Sequence, residues 1–137
     1  MPLISVVTSV NNGEAYLKEC VDSVLNQTLQ DFEYIILNNG STDGTARILD
    51  QYKDPRLRIV NQDNLGIVNS LNKGTSLSSS DLIAHLDADD FVHPAWLEKH
   101  FEYMNRNQDL VLCSSRFEEL YNGNLYPQSF TFIENDS

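Results

Sequence analysis

Short apolar runs alternate along this chain with stretches whose apolar residues recur every three or four positions, and few folds accept that alternation. Leu3 to Thr8 is apolar and largely β-branched, which predicts a first strand. From Gly13 the spacing changes: Tyr16, Leu17, Cys20, Val21, Val24 and Leu25 fall on one helical face. Phe32 to Leu37 reads as a second strand, and Thr45 to Lys53 as a helix with Ile48, Leu49 and Tyr52 turned inward. Asp54–Pro55 ends that helix, because proline lacks an amide hydrogen and drives its predecessor extended. A third strand is expected over Leu57 to Val60, then a helix carrying Ile67, Val68, Leu71 and Leu77, with Gly74 in it or near its end. Leu82 to Leu86 is the fourth strand. A helix follows from Pro94 with Trp96, Leu97, Phe101 and Met104 at roughly helical spacing, and Leu110 to Cys113 is the fifth strand. Tyr121 to Ser137 has no clear period. The pattern predicts a Rossmann-like, doubly wound α/β sheet, mostly parallel, in one domain over residues 1–137.

Charge decides which partners such a domain can take. The net charge is −11, so nucleic acid and anionic lipid surfaces are excluded as partners, since both are held by clustered Lys and Arg. A phosphorylated small ligand is repelled as well, unless a cation intervenes. No run is long enough to span a bilayer, and the apolar start lacks a basic leader. Cys20 on its helical face and Cys113 in its expected strand read as buried thiols, which suits a cytoplasmic protein, free or at the cytosolic face of a membrane.

In a doubly wound sheet, ligands sit at the carboxyl ends of the strands. The polar turns Ser9 to Glu14, Asn38 to Gly44 and Asp87 to Asp90 all fall at that edge. In Asp87–Ala88–Asp89–Asp90 three carboxylates crowd one turn, and such a group repels itself unless something positive neutralises it. Mg2+ or Mn2+, hard and oxygen-seeking, would do so and would bridge the turn to phosphate oxygens. A solvated turn with Asp90 capping the next helix explains the same residues, and spacing alone leaves both readings open. The turn Asn38–Asn39–Gly40–Ser41–Thr42–Asp43–Gly44 suits tight backbone geometry and a helix cap, and its asparagines offer donors and acceptors where a base could lie. Asn11–Asn12–Gly13–Glu14 is a loop into a helix or a wall of the same pocket. His85, His93 and His100 have no zinc spacing with the cysteines, and neither a Walker loop nor a compelling Ser-His-Asp order is present.

Taken in order, the stretches "ISVVTSVNNGEAYLKECVDSVLNQTLQDFEYIILNNGSTDGT", "NQDNLGIVNSLNKG" and "LIAHLDADDFVHP" resemble the inverting family-two glycosyltransferases of GT-A fold, over about residues 3 to 105. The resemblance implies the N-terminal portion of that fold and transfer of a sugar from a nucleotide-diphosphate donor to an acceptor hydroxyl, with inversion. It also implies Asp89 as the main metal ligand, with Asp87 near the ribose or metal and Asp90 beside it. Mn2+ or Mg2+ would act as Lewis acid on the departing diphosphate. Thr8, Ser9, Val10, Asn11, Glu14 and Asn39, with Asp87, Ala88 and Asp89, fall at or beside the family's nucleotide-sugar positions.

Two positions depart from the family. An aromatic residue often stands where this chain has Val10, and Asp usually stands where it has Asn39, accepting the imide hydrogen of uracil. A base other than uracil is therefore open. The acceptor, whether glycan, lipid-linked or protein, is not named by the sequence. The general base is expected beyond Ser137, in an acceptor-binding half that the family has and this chain lacks. Glu118 and Glu119 read as solvated surface charges. A non-catalytic nucleotide-binding or assembly module of the same fold is the alternative reading. A phosphatase of the haloacid dehalogenase type fits poorly, because its nucleophile follows the first strand and Asp87 follows the fourth. Exposed sheet edges make a homo-oligomer the expected assembly.

Overall fold

The computed structural model describes residues 1–115, 118–121 and 123–127. Four parallel strands form the main sheet: β1 (Ile4–Val10), β2 (Phe32–Asn39), β3 (Leu57–Gln62) and β4 (Ile83–His85), in the order β3-β2-β1-β4. The helices α1 (Leu17–Leu25), α2 (Thr45–Leu49), α3 (Ile67–Leu77) and α4 (Trp96–Arg106) connect and follow them. A separate antiparallel pair joins β5 (Glu118–Tyr121) to β6 (Asn124–Pro127).

β1 and β2 are buried along almost their whole length, as strands covered on both faces must be. On one face Val6, Val10, Tyr34 and Ile36 pack with Leu17, Val21 and Val24 of α1, Leu49 of α2 and Leu97 of α4. On the other, Val7, Ile35 and Leu37 meet Leu71 and Leu77 of α3. Thr8, a polar residue in the central strand, is fully buried; its hydroxyl donates to the Leu86 carbonyl at 2.8 Å and lies 3.0 Å from the Tyr34 hydroxyl. The register sets Val10 opposite Asn38, and Asn39 opposite Gln62, so the carboxyl ends of the strands finish level.

Three expectations change. Leu110 to Cys113 forms no strand: it follows α4 irregularly, with Val111 98% and Leu112 80% exposed. An apolar β-branched run becomes a strand only when a ladder partner takes its amides, and none does so here among the described residues. Cys113 is consequently half-buried, whereas Cys20 is fully buried. The second helix stops at Leu49 instead of Lys53, because Gln51 and Tyr52 donate to the carbonyls three residues back and tighten the last turn. Of Tyr121 to Ser137, only the backbone of the β5–β6 pair is described. The side chains of Glu118 and Glu119 and all of residues 128–137 lie outside the described residues.

Gly74 marks the closest approach of α3 to the sheet. A Cβ there would lie 2.4 Å from Val7 Cγ1 and 2.9 Å from Leu37 Cδ2, both on fully buried residues. Alanine gains about 1 kcal/mol of helix propensity but overpacks this contact by roughly 1–3 kcal/mol. Gly74→Ala is therefore expected to lower stability by up to about 2 kcal/mol in urea unfolding. A midpoint raised by the full propensity gain would mean that α3 can shift away at no cost.

Candidate functional site

The chain reverses its winding between β1 and β4. β2 and β3 add on one side of β1, and β4 adds on the other. The loops leaving the carboxyl ends of β1 and β4 therefore diverge, and a crevice opens between them. An open cleft of about 400 Å3 lies there. Ser9 to Gly13 line it from the β1 side, Asp87 to Asp89 from the β4 side, and Tyr16 and Ile67 from the starts of α1 and α3.

The first two polar turns are stitched together. Asn11 Nδ2 donates to the Asn39 carbonyl at 2.8 Å, the Asn12 amide to Ser41 Oγ, and the Gly13 amide to Thr45 Oγ1. Asn12 adopts φ +56°, a left-handed conformation that asparagine tolerates, and its Oδ1 accepts from the Thr42 amide at 2.8 Å. Glu14 lies outside the cleft lining and accepts from the Gly44 amide, with Arg47 beside it. Asp43 and Glu14 thus serve the loops in this structure: Asp43 Oδ2 takes the Glu14 amide and Oδ1 the Thr45 amide.

Asn39 is buried and outside the cleft lining, and its side-chain carbonyl oxygen is engaged twice, by the Leu65 amide at 2.9 Å and Gln62 Nε2 at 3.0 Å. A backbone amide can only donate, so the Asn39 atom facing it must be the oxygen. Its Nδ2 points to Asn64 Oδ1 at 3.3 Å. Thr8, as described, is sealed in the sheet. Ser9 reaches the cleft while its hydroxyl donates to Ser70 Oγ at 2.8 Å.

The acidic turn is placed differently. Asp87 and Asp89 are exposed at the cleft, with Ala88 half-buried between them. Asp90 turns off the lining, and its amide donates to the Asp87 carbonyl. Desolvation by the turn, then the charges of Asp89 and Asp87, raise the Asp90 carboxyl above its ordinary value. Burial likewise pushes the Cys20 thiol up to about 11; the Tyr34 hydroxyl bond opposes this, and the carboxylates of the turn add to it. Among the described residues no three His, Cys, Asp or Glu side chains cluster as metal ligands. A cation that shares one or two carboxylates with phosphate oxygens and water needs no such cage, and Asp87 and Asp89 fit that role.

The family model of glycosyl transferase family 2 matches residues 5–136. The chain belongs to that family. Among its family-2 relatives, a glycosyltransferase of Haemophilus influenzae is 39% identical over 120 residues, covering 85% of this chain and 37% of its own length. The chondroitin synthase of Escherichia coli is 40% identical over 113 residues, which is 81% of this chain and 16% of that protein. The chain thus spans well under two thirds of the relatives it matches. Crystal structures agree on the fold. S. aureus TarS bound to UDP superposes with a TM-score of 0.72 at 22% identity, over 77% of this chain and 33% of TarS. The mannosyltransferase PcManGT from Pyrobaculum calidifontis, in complex with GDP-Man and Mn2+, gives 0.61 at 22% identity, over 66% of this chain and 28% of its own. The parallel sheet and its helices are accordingly the N-terminal portion of a GT-A fold.

Sequence reasoning missed several residues at or near this cleft. Tyr16, 61% exposed, and Ile67 stand at the cleft, although their helical spacing marked them as core. Gln27 is buried, and it fixes the segment after the acidic turn by donating to the His93 carbonyl and accepting from the Leu97 amide. The only signal for it was a polar residue just past an apolar helical stripe.

Asp90 yields a pH prediction. A carboxyl with a raised value in the folded chain opposes folding as it ionises. The penalty is absent below the ordinary value of 3.8 and complete above the raised one. Asp90→Asn is therefore expected to raise the urea midpoint near pH 7 and leave it unchanged near about pH 3. An equal gain at both values would show that charge is not the cause.

Proposed function

We propose that the chain is the donor-binding part of an inverting glycosyltransferase, which holds a nucleotide-diphosphate sugar at the cleft through Mn2+ or Mg2+. The observation that carries this reading is the meeting of Asp87 and Asp89 with the loop after β1 at the point where the sheet reverses. An acidic domain needs a cation to keep a diphosphate, and these two exposed carboxylates supply hard oxygen ligands. PcManGT was crystallised with GDP-Man and Mn2+, and TarS with UDP and with UDP-GlcNAc, which supports a nucleotide sugar as ligand. When bound, the metal supplies a Lewis acid that stabilises charge on the departing nucleoside diphosphate.

The chain's own residues bind and orient. Asp89 takes the larger share of the metal in this reading, Asp87 the ribose or metal, and Asp90 the role of neighbour that holds the turn. Ser9, Val10 and Asn11 form the wall toward the nucleoside, and Tyr16 offers the aromatic face that Val10 lacks. Asn39 has given its carbonyl oxygen to Leu65 and Gln62, so a base that reaches it meets an N–H donor. A base that presents an acceptor there is favoured over the imide of uracil. The unpaired thiols of Cys20 and Cys113 suit the cytoplasm as the place of action.

Calorimetric titration of UDP, CDP and GDP, with and without Mn2+, tests this. Binding is expected only with the metal, and Asp89→Ala is expected to weaken it by at least about tenfold. Equal affinity without Mn2+ or in Asp89→Ala would remove the metal–diphosphate reading. Binding without turnover on any acceptor would leave a nucleotide-binding module.

A further inference from the structure

A second cleft, of about 470 Å3, opens on the far side of the acidic turn. Its walls are Lys18, Glu19, Asp22 and Ser23 of α1, Asn26 at the end of that helix, and Phe91. Phe91 is 47% exposed and follows Asp90 directly, two residues beyond the Asp89 that lines the first cleft. The two clefts share more than this turn. Tyr16, just before α1, belongs to the first, and Lys18 and Glu19, the next turn of the same helix, to the second. Ligands in both would meet at the acidic turn.

The chemistry of the second cleft is uneven in an informative way. Part of the wall is already committed within the chain. Asp22 accepts from Lys18 Nζ and from the Tyr52 hydroxyl, and Ser23 Oγ donates to the Cys20 carbonyl while taking the Val92 amide. Other groups remain open to a ligand. Lys18 has N–H donors left over, Glu19 offers a carboxylate, and Asn26 offers its side-chain carbonyl and a second Nδ2 hydrogen, the first being donated to the Asp22 carbonyl. One aromatic face opposite a row of donors and acceptors matches a pyranose ring, whose C–H face is apolar and whose rim carries hydroxyls that both donate and accept. A lipid tail would need a continuous apolar wall, and among the described residues Phe91 is the only large apolar side chain lining this one.

We propose that this second cleft seats a neutral sugar unit of the acceptor, with its ring on Phe91 and its hydroxyls on Lys18, Glu19 and Asn26. The assignment rests on the donor reading of the first cleft and goes beyond it. It selects a saccharide among the possible acceptors and puts part of its site on this chain. The cleft's own charge refines the class: Glu19 and Asp22 outweigh Lys18, so uronates and sugar phosphates are disfavoured and neutral or amino sugars are accepted.

The test is an amide NMR titration of the full chain with glucose, galactose, N-acetylglucosamine, N-acetylgalactosamine, cellobiose, lactose and glucuronate. At least one neutral sugar is expected to shift the amides of Lys18 to Asn26 and of Phe91 at millimolar concentration, and glucuronate to act more weakly. Phe91→Ala should weaken that sugar by about tenfold or more, whereas Phe91→Trp should retain it. Phe91 is half exposed, so neither variant threatens the fold. No shift with any sugar, or an equal response in Phe91→Ala, would overturn the proposal. Titration with UDP, CDP and GDP plus Mn2+ on the same sample separates the two readings. Nucleotide binding without sugar binding removes only the acceptor site, and sugar binding without nucleotide binding upholds the saccharide cleft while removing the donor reading.

Discussion

β1 is hydrogen-bonded on both sides and covered on both faces, and the chain reverses its winding direction at that strand. Crossovers between parallel strands are right-handed, so a reversal of direction carries the connecting helix to the opposite face. This is why α1 and α2 pack with the core on one side, whereas α3, which leads to β4, packs with Val7, Ile35 and Leu37 on the other. The same reversal parts the loops after β1 and β4 and leaves the first cleft between them. Thr8 secures the junction. Its hydroxyl reaches the Leu86 carbonyl, so the end of β4 that delivers the acidic turn is tied to β1 by a side chain as well as by the ladder. Leaving that buried carbonyl or hydroxyl unpaired would cost about 1–3 kcal/mol, so the pair is kept satisfied at this buried position.

Polar groups at the sheet edge divide into two populations. Asn11, Asn12, Glu14, Asn39 and Asp43 spend their capacity on neighbouring loops, and the backbone they hold is thereby fixed before any ligand arrives. Gly40, at φ +71° and with Asn64 against it, belongs to the same tight junction. Asp87 and Asp89 do the opposite. They stand exposed at the cleft, their charges add to the desolvation that raises the neighbouring Asp90 carboxyl, and among the described residues no cationic side chain lines the cleft. A chain that can bond so many polar side chains internally and leaves these carboxylates open places its unmet electrostatic demand at that turn.

The sheet was legible because its strands are short apolar runs of a kind that only two-sided burial explains, and its polar turns were legible because they interrupt those runs on one edge. Leu110 to Cys113 misled for the same reason. Its composition is that of a strand, but composition cannot supply a ladder partner, and exposure of Val111 and Leu112 is a tertiary fact. The site divided along a similar line. Asp87 and Asp89 could be read from charge crowding, and Ser9 to Asn11 from their place after a strand. The loop duty of Glu14 and the burial of Asn39 depend on contacts across about 23 to 30 residues, which no local pattern reports. Tyr16 and Ile67 sit at helix starts, where the spacing that marks a core face also fits a cleft wall.

Asn39 is the most consequential of these non-local facts. An aspartate at this position would present two acceptor oxygens, and the Leu65 amide and Gln62 could be satisfied with acceptor capacity to spare. An asparagine has one oxygen, and both of its lone pairs are taken. The single atom exchanged between the two side chains therefore changes the sign of what the sheet edge offers, from acceptor to donor, without moving the backbone. It also removes a negative charge from an edge that already carries three carboxylates in the acidic turn. In the donor reading proposed above, less negative potential at this edge would lower the electrostatic demand on a cation that bridges the acidic turn to a diphosphate. On that reading the exchange would bear on both base and metal through one side chain, and the two effects separate by ionic strength: screening weakens the second and leaves the hydrogen-bond preference in place.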